Sequence, residues 1–310
     1  MIEATAPGKL FISGEYAVLE GAPAIACAVG RQVRARLHRG KAPEEQEAAR
    51  WRRAATELLL ARGLREAPAA ARLEIDSSAL YAADGAKYGL GSSAAVAAAV
   101  AGAFLAAQGS LPGREEQLRL ASDLHRSLQG PGGSGVDVAA SLHGGVIAVD
   151  GGGVERLAWP AGLACAAIWS GRSAGTPKAL ERYRKALKEG PPRARAVVKR
   201  LEREAKAVKQ AWRAGAREAL EALAQFAAAW QELDRVAELG VYSAPHLELL
   251  ELSRTAGCLY KPSGAGGGDC GLALACDPQP LARMRRMAAA KGYPTLDMEL
   301  GAKGMSVTGP

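Results

Sequence analysis

A glycine- and serine-rich segment, Lys87-Tyr88-Gly89-Leu90-Gly91-Ser92-Ser93-Ala94, leads into an alanine-rich run whose length and composition predict a helix over 94–108. Its glycines allow the backbone to approach an anion closely, and Ser92 is predicted to cap a helix that begins at Ser93. The free N–H groups and the positive end of that helix then point at one place, which is the chemistry of a phosphate site. A serine hydroxyl there can also ligate the Mg²⁺ that accompanies a nucleotide. The alternative interpretation is an ordinary capped helix after a turn.

Two common nucleotide-binding loops are excluded by the residues around this segment. The segment matches the dinucleotide pattern G-x-G-x-x-A, but that pattern needs a hydrophobic strand directly before it. Residues 83–88 read Ala-Asp-Gly-Ala-Lys-Tyr and do not resemble a buried strand. The pattern G-x-x-x-x-G-K-[ST] is absent from the chain. A nucleotide bound here is therefore held by neither of these loops.

Two further loops place glycine beside hydroxyl or acidic side chains. In Ser263-Gly264-Ala265-Gly266-Gly267-Gly268-Asp269, four glycines in five positions carry a high entropic cost, and the successive N–H groups of such a loop can form an anion-binding nest. Residues 132–137, Gly-Gly-Ser-Gly-Val-Asp, present the Asp137 carboxylate at the end of a flexible loop. Asp137 can cap a helix, or it can face a substrate hydroxyl or a metal. Near the start of the chain, Pro7-Gly8-Lys9 places a lysine early in a strand, and such a lysine is usually at the surface.

The hydrophobic patterning predicts an α+β chain of two domains, residues 1–165 and 166–310. The predicted strands are 9–12, 24–37, 72–76, 145–149, 164–169 and 271–276. The predicted helices are 43–62, 94–108, 114–129, a run over 177–238 broken at 190–192 and loosened at 215, 245–255 and 278–290. A hairpin is predicted at 151–153, and residues 305–308 are predicted to close a sheet edge.

Composition and charge limit the class of protein. The 310 residues carry a net charge of +8, which fits nucleic acid, acidic lipid or a polyanionic small molecule as a partner. Zinc-finger and aromatic RNA-binding motifs are absent, and the basic excess over 182–217 alternates with glutamate, as on a solvated helix face. The longest uncharged run, 94–107, is too short for a bilayer span, and the opening residues lack a secretory signal pattern. The five cysteines and the absence of a C-x-x-C pair predict reduced thiols in a cytoplasmic protein. Together with the missing motifs and the short uncharged run, this leads us to expect a protein that binds neither nucleic acid nor membrane.

Taken in this order, the segments resemble the motifs of the GHMP kinases, the family of galactokinase, homoserine kinase and mevalonate kinase. Pro7-Gly8-Lys9 through Val18 is similar to the first motif, residues 87–94 to the second motif, which wraps the ATP phosphates, and residues 263–271 to the third motif. Residues 133–137 are similar to the segment that carries the catalytic aspartate in mevalonate kinases. The resemblance implies an N-terminal domain like ribosomal protein S5 domain 2, a ferredoxin-like C-terminal domain, and an active site between them.

Several details resemble the phosphomevalonate kinase branch, which phosphorylates 5-phosphomevalonate to 5-diphosphomevalonate in the mevalonate pathway of isoprenoid synthesis. Gly14-Glu15-Tyr16 stands where mevalonate kinases usually read Gly-Glu-His, and the third motif ends Gly268-Asp269-Cys270-Gly271, where they tend to have glycine in place of the aspartate. The segment around His125 also resembles this branch. One departure is Arg126, at the spacing where mevalonate kinases carry a metal-binding glutamate. Mevalonate kinase, a non-catalytic relative and a basic nucleic-acid binder are the alternatives.

The resemblance implies ATP and Mg²⁺ as cofactors and phosphomevalonate as the second small-molecule substrate, in a monomer or homodimer. It implies catalytic roles for Lys9 and Asp137. Contacts with ATP are implied for Lys87, Gly89, Leu90, Gly91, Ser92, Ser93 and Ala94, with Ser92 and Ser93 also on the metal. Substrate contacts are implied for Glu15, Tyr16, Ser134, Gly135, Arg172, Thr176, Ser263, Gly264, Ala265, Gly266, Gly267 and Asp269.

A separate electrostatic argument favours a phosphorylated acceptor. ATP alone needs one or two cations and a metal, whereas a second phosphate in the same cleft needs more, because two polyanions repel unless they are screened. The candidate cations close to the glycine loops in sequence are Lys9, Lys87, Arg172, Lys178 and Lys261.

Overall fold

The computed structural model describes residues 1–40, 44–64, 71–109, 111–130, 133–151 and 153–309. The strands are β1 (Ile2–Ser13), β2 (Ala24–Arg39), β3 (Ala71–Asp76), β4 (Val146–Asp150), β5 (Gly153–Leu157), β6 (Ala164–Trp169), β7 (Leu259–Pro262), β8 (Cys270–Ala275), β9 (Thr295–Leu296) and β10 (Ser306–Thr308). The helices are α1 (Gln46–Ala61), α2 (Ser92–Ala106), α3 (Arg114–Gln129), α4 (Val136–His143), α5 (Thr176–Glu189), α6 (Pro192–Ala214), α7 (Ala216–Ala237), α8 (Ala244–Ala256) and α9 (Pro278–Ala290). The predicted α+β class is confirmed.

Two antiparallel sheets organise these strands. The first has the order β10-β1-β2-β4-β5, with β3 also paired to β2, and the second has the order β7-β8-β6-β9. In the first sheet Thr5 of β1 lies opposite Ser306 of β10, so the prediction that residues 305–308 close a sheet edge is confirmed. The first sheet is thus built from residues 2–157 together with 306–308. The division into domains 1–165 and 166–310 stays a prediction.

Helix α2 is the central helix of the first half. Every residue from Ala94 to Leu105 is buried, which is the pattern of a helix that is apolar on all faces and lies inside a protein. Small side chains let it pack closely against β1, β2, α3 and α4. At Gly102 a β-carbon would lie 2.5 Å from the sulfur of Met305, the residue just before β10. The start of α2, which carries the second motif, is therefore held in place by packing along the whole helix.

The second half is mainly helical, and its breaks fall where glycine and proline predict them. The run over 177–238 forms α5, α6 and α7, with the first break at Gly190-Pro191-Pro192 and the second at Gly215. Helices α8 and α9 pack against the second sheet through a separate apolar cluster that includes Tyr260 and Met284. None of the helices in the described ranges is long and apolar enough to cross a bilayer.

Five elements differ from the predictions. Strand β1 extends over Ile2–Ser13 rather than 9–12, and it tolerates Pro7 because its register with β2 shifts between Pro7 and Gly8. The sequence did not predict the short strands β7 and β9, and it offered a helix near α4 only as the alternative in which Asp137 is a cap residue. The first predicted helix begins at Gln46, and residues 41–43 lie outside the described ranges. The five cysteines are free, as expected.

Candidate functional site

Lys9 lies at the point where the glycine-rich motifs meet. Its backbone N–H donates to the carbonyl of Leu90 at 2.8 Å. Its side chain is only 4% exposed and crosses Gly91, where a β-carbon would lie 2.9 Å from Lys9 Cε. On the other side, a β-carbon on Gly264 would lie 3.8 Å from Lys9 Nζ. Lys9 is therefore a buried residue between the second and third motifs, not a surface lysine.

The second motif ends in α2, whose first residue is Ser92. The prediction that Ser92 caps a helix starting at Ser93 is wrong, because Gly91 is the N-cap residue and no side chain makes a cap bond. Gly91 has a φ of +74°, where a side chain would be strained and would also meet Lys9. The two serines are thus the first two helical residues, and the N–H groups of this turn lack intrahelical acceptors. These N–H groups, the two hydroxyls and the positive helix end have the chemistry to bind an anion.

His125, on α3, contacts this turn. Its Nε2 lies 3.1 Å from the hydroxyl oxygen of Ser93. Burial lowers the pKa of His125, while the charge of Asp137 opposes that shift. Sequence reasoning did not place His125 in the site, although its position beside Ala121 and Leu124 on the buried face of α3 was a usable signal. The neighbouring Arg126 is 56% exposed and pairs with Asp123 at 3.1 Å.

Asp137 is the second residue of α4 rather than the end of a flexible loop. The helix starts there because Gly135, with a φ of +78°, supplies the N-cap. One oxygen of Asp137, Oδ1, lies 3.7 Å from Lys9 Nζ and is buried without a hydrogen-bond partner, although the side chain as a whole is 37% exposed. The preceding Ser134 is exposed, and the predicted loop residue Gly132 lies outside the described ranges.

Hydrogen bonds join the third motif to β1, to Tyr16 and to Val241. The hydroxyl of Ser263 accepts from the N–H of Phe11 at 2.9 Å and donates to its carbonyl at 3.1 Å. The carbonyl of Ala265 accepts from the hydroxyl of Tyr16 at 2.8 Å. The N–H of Gly267 donates to the carbonyl of Val241 at 2.8 Å. These bonds fix the position of the third motif.

A buried hydrogen-bond network of His246 and Tyr260 supports the third motif. His246 is fully buried, with Nε2 2.8 Å from the carbonyl of Gly268 and Nδ1 2.8 Å from the hydroxyl of Tyr260. Since a carbonyl can only accept, Nε2 carries the proton and Nδ1 accepts from Tyr260. Burial lowers the pKa of His246 to about 4, so the ring is neutral at pH 7. Sequence reasoning missed this histidine, which has no motif to mark it.

Glu15 and Tyr16 are buried and do not lie at the surface. Glu15 and Lys261 form a buried ion pair with an oxygen–nitrogen distance of 2.5 Å and side-chain exposures of 2% and 0%. Burial lowers the pKa of Lys261, and Glu15 opposes this shift. The prediction that Lys261 helps to screen a second phosphate is therefore wrong, because its charge is matched by Glu15 inside the protein.

The other side chains predicted to screen a second phosphate, apart from Lys9, are at the surface. Lys87, Arg172 and Lys178 are exposed on segments that border the second and third motifs. Thr176 is the first residue of α5, and only its backbone is described. Asp269 is half-buried against Gly89, so that it links the third motif to the second.

The oxygen donors near α2 suit a magnesium ion better than a soft metal. The described residues contain no group of three or more His, Cys, Asp or Glu side chains able to hold a metal by themselves. The hydroxyls of Ser92 and Ser93 and the Oδ1 of Asp137, which accepts no hydrogen bond, are hard oxygen ligands. Mg²⁺ usually keeps several waters and binds through one or two protein oxygens plus substrate phosphates, so this donor set fits.

Two comparisons with known proteins identify the family. Residues 51–145 match the GHMP kinases N terminal domain. A phosphomevalonate kinase from Streptomyces sp. (strain CL190) is 31% identical over 87% of this chain and 88% of its own length. The chain belongs to the GHMP kinase family. This GHMP kinase is a phosphotransferase, as the resemblance of its motifs implies.

Solved structures share the fold of this GHMP kinase. The Lin0012 protein from Listeria innocua superimposes with a TM-score of 0.86 at 24% identity, covering 99% of each chain. Streptococcus pneumoniae phosphomevalonate kinase, solved in complex with phosphomevalonate and AMPPNP, gives a TM-score of 0.80 at 21% identity, covering 97% of this chain and 100% of that one. The GHMP kinase fold predicted from the motifs is confirmed.

Proposed function

We propose that this GHMP kinase transfers the γ-phosphoryl group of ATP to 5-phosphomevalonate and so forms 5-diphosphomevalonate. The observation that carries the proposal is the convergence on Lys9, whose buried ammonium lies 3.7 Å from Asp137 and beside both Gly91 and Gly264. The relative that is 31% identical over most of the chain is named for this activity. A non-catalytic relative has no need of this arrangement, because phosphoryl transfer is what requires a cation between donor and acceptor.

The first turn of α2 would bind the ATP phosphates. Its free N–H groups and dipole favour anions, and Gly89 and Gly91 allow the backbone to come close. Ser92 and Ser93, together with Asp137, would hold Mg²⁺, which when bound neutralises phosphate charge. His125 would orient the Ser93 hydroxyl from the protein side.

Lys9 and Asp137 would act on charge rather than on a proton. The second pKa of a phosphate monoester is near 6, so at pH 7 the acceptor is mostly a dianion and needs no base. The difficulty is repulsion between two polyanions, which Lys9 would offset as the cation between them. Asp137 would hold the Lys9 ammonium in place, since the pair is 3.7 Å apart.

The acceptor would lie between α4 and the third motif. Ser134 and Gly135 precede Asp137, and the exposed Arg172 lies on the loop between β6 and α5 that contacts the third motif. We include Thr176 and residues 263–267 in this proposed site, with the buried Glu15 and Tyr16 and the half-buried Asp269 as residues that support it. A cleft between domains 1–165 and 166–310, a cytoplasmic location, a monomer or homodimer, and the absence of nucleic-acid or membrane partners belong to the same proposal.

An acceptor assay tests the proposal. Purified protein with ATP and Mg²⁺ is incubated separately with phosphomevalonate and with mevalonate, and the products are identified by phosphorus NMR. We expect the diphosphate signals of 5-diphosphomevalonate beside those of the ADP formed in the same turnover, and no turnover of mevalonate. Turnover of mevalonate alone would make the chain a mevalonate kinase instead.

A further inference from the structure

The loop between β6 and α5, residues 170–175, carries Arg172 and is hydrogen-bonded to both the second and the third motif. Ser173 attaches it to the second motif, because its hydroxyl accepts from the N–H of Lys87 at 2.8 Å and donates to the carbonyl of Lys87 at 3.2 Å. Both bonds are exposed to solvent. This attachment on its own leaves the other side of the loop unsupported.

Asp269 attaches the opposite side of the loop. Its backbone N–H donates to the carbonyl of Arg172 at 2.8 Å, and its carbonyl accepts from the N–H of Ser170 at 2.9 Å. Its side-chain Oδ1 accepts from the N–H of Ala174 at 2.9 Å. The neighbouring Gly268 lies so close that a β-carbon there would be 2.9 Å from the carbonyl oxygen of Arg172. The loop is therefore fixed on both sides of Arg172.

The conformation of Asp269 shows that its carboxylate matters separately from its backbone. Its φ is +62°, a left-handed value that glycine adopts at lower cost than any other residue. Glycine would keep both backbone bonds, so the bond to Ala174 is what the side chain adds. The carboxylate also lies directly on Gly89, where any β-carbon would overlap it.

The charge of Asp269 argues against direct contact with phosphate. A carboxylate beside a phosphate is repelled, and it has no proton to donate when ionised. Its Oδ1 is already used by the backbone of the loop. Its influence on a phosphorylated substrate therefore has to pass through a neighbouring group, and Arg172 is the cation that it supports.

We propose that Asp269 is a positioning residue that fixes the loop 170–175 so that Arg172 faces the phosphate of the acceptor. This inference rests on the proposed function. Its consequence is a selective effect on acceptor binding, because the bond to Ala174 acts on the loop that carries Arg172, while in the proposed function the ATP phosphates are bound by α2.

Two substitutions at one position separate the side-chain bond from the backbone. Asp269→Gly keeps the left-handed backbone but removes the acceptor for Ala174, whereas Asp269→Asn keeps an acceptor oxygen and tolerates the same φ. We expect Asp269→Gly to raise KM for phosphomevalonate about 10-fold or more with KM for ATP changed less than about 2-fold. Asp269→Asn should restore KM for phosphomevalonate to within about 3-fold of wild type.

Ser173→Ala gives an independent readout from the other side of the loop, and it should raise KM for phosphomevalonate in the same direction. The inference is overturned if Asp269→Gly leaves this KM unchanged, if both KM values rise together, or if Asp269→Asn behaves like Asp269→Gly. Wild-type turnover is measured first, because its absence with phosphomevalonate overturns the proposed function and not this inference. Thermal unfolding of each variant verifies that the protein is folded.

Discussion

Replacing Lys261 by methionine is expected to destabilise the fold by about 3–5 kcal/mol. The side chain is completely buried, and its ammonium lies 2.5 Å from Glu15 and 2.7 Å from the carbonyl of Pro262. Methionine keeps the linear aliphatic chain, so little of the loss comes from a cavity. The cost arises because the Glu15 carboxylate is left buried without a counter-charge, and its Oε2 already has no hydrogen-bond partner.

The double variant Glu15→Gln/Lys261→Met tests whether that stranded charge is the cause. It removes both charges together, so we expect it to be less destabilised than Lys261→Met alone, by about 1–3 kcal/mol. An additive or worse result would mean that the two side chains are not coupled electrostatically. Such a result would refute the reasoning, since the 2.5 Å separation demands strong coupling.

Urea unfolding followed by tryptophan fluorescence measures these free energies. Trp230 is a suitable probe, because its ring centroid is 5.0 Å from the Lys261 ammonium. Lys291→Met is the matched control, since Lys291 pairs with Glu248 at 3.3 Å with side-chain exposures of 57% and 40%. An exposed pair of this kind contributes about 0–1 kcal/mol. Equal losses in Lys261→Met and Lys291→Met would show that burial does not amplify the first pair.

Three further predictions concern catalysis and pH. Lys9→Met is expected to lower kcat more than Asp137→Asn, and the wild-type rate should rise as the acceptor phosphate ionises near pH 6 and then level off. If Asp137→Asn instead causes the larger loss, and the pH dependence of the wild-type rate follows the ionisation of a carboxylate, Asp137 is a general base. Ser92→Ala and Ser93→Ala should each lower kcat at saturating ATP and Mg²⁺, and wild-type turnover in both would remove the second motif from the phosphate site. Burial lowers the pKa of His246 from 6.5 to about 4, so the folded state binds fewer protons than the unfolded state between these pH values. The contribution of His246 to the free energy of unfolding is therefore complete above pH 6.5, and about 3 kcal/mol of it is lost as the pH falls toward 4. Urea titrations at pH 7 and pH 4.5 should show a smaller difference for His246→Gln than for wild type, and an equal difference would contradict the assignment.

Much of the fold could be predicted because its signals are local. The breaks in the helical run at Gly190 and Gly215 and the all-apolar helix α2 follow from backbone freedom and composition within a few residues. The start of α2 was predicted one residue late, because a serine is the usual cap and nothing local shows that the Lys9 side chain crosses Gly91.

The site was predicted where it coincides with glycine-rich motifs and missed where it depends on partners distant in sequence. Lys9 and Asp137 meet although they are far apart in the chain, and their ion pair supports the motif-based expectation. The position of Glu15 is the opposite case. Its motif indicated substrate contact, but its partner Lys261 is 246 residues away, so only the folded chain shows that both are buried.

The pairing of β10 with β1 has a consequence for biosynthesis. Thr5 and Ser306 are 301 residues apart, so the first sheet keeps an open edge until almost the whole of this sequence has left the ribosome. An open strand edge invites pairing with other chains, and closing so long a loop slows folding. A fragment limited to residues 1–165 would retain that edge and would also lack Met305, which fills the space beside Gly102. Folding of the first sheet is thus coupled to completion of the rest of the sequence, and truncated products are expected to aggregate rather than accumulate as a partial kinase.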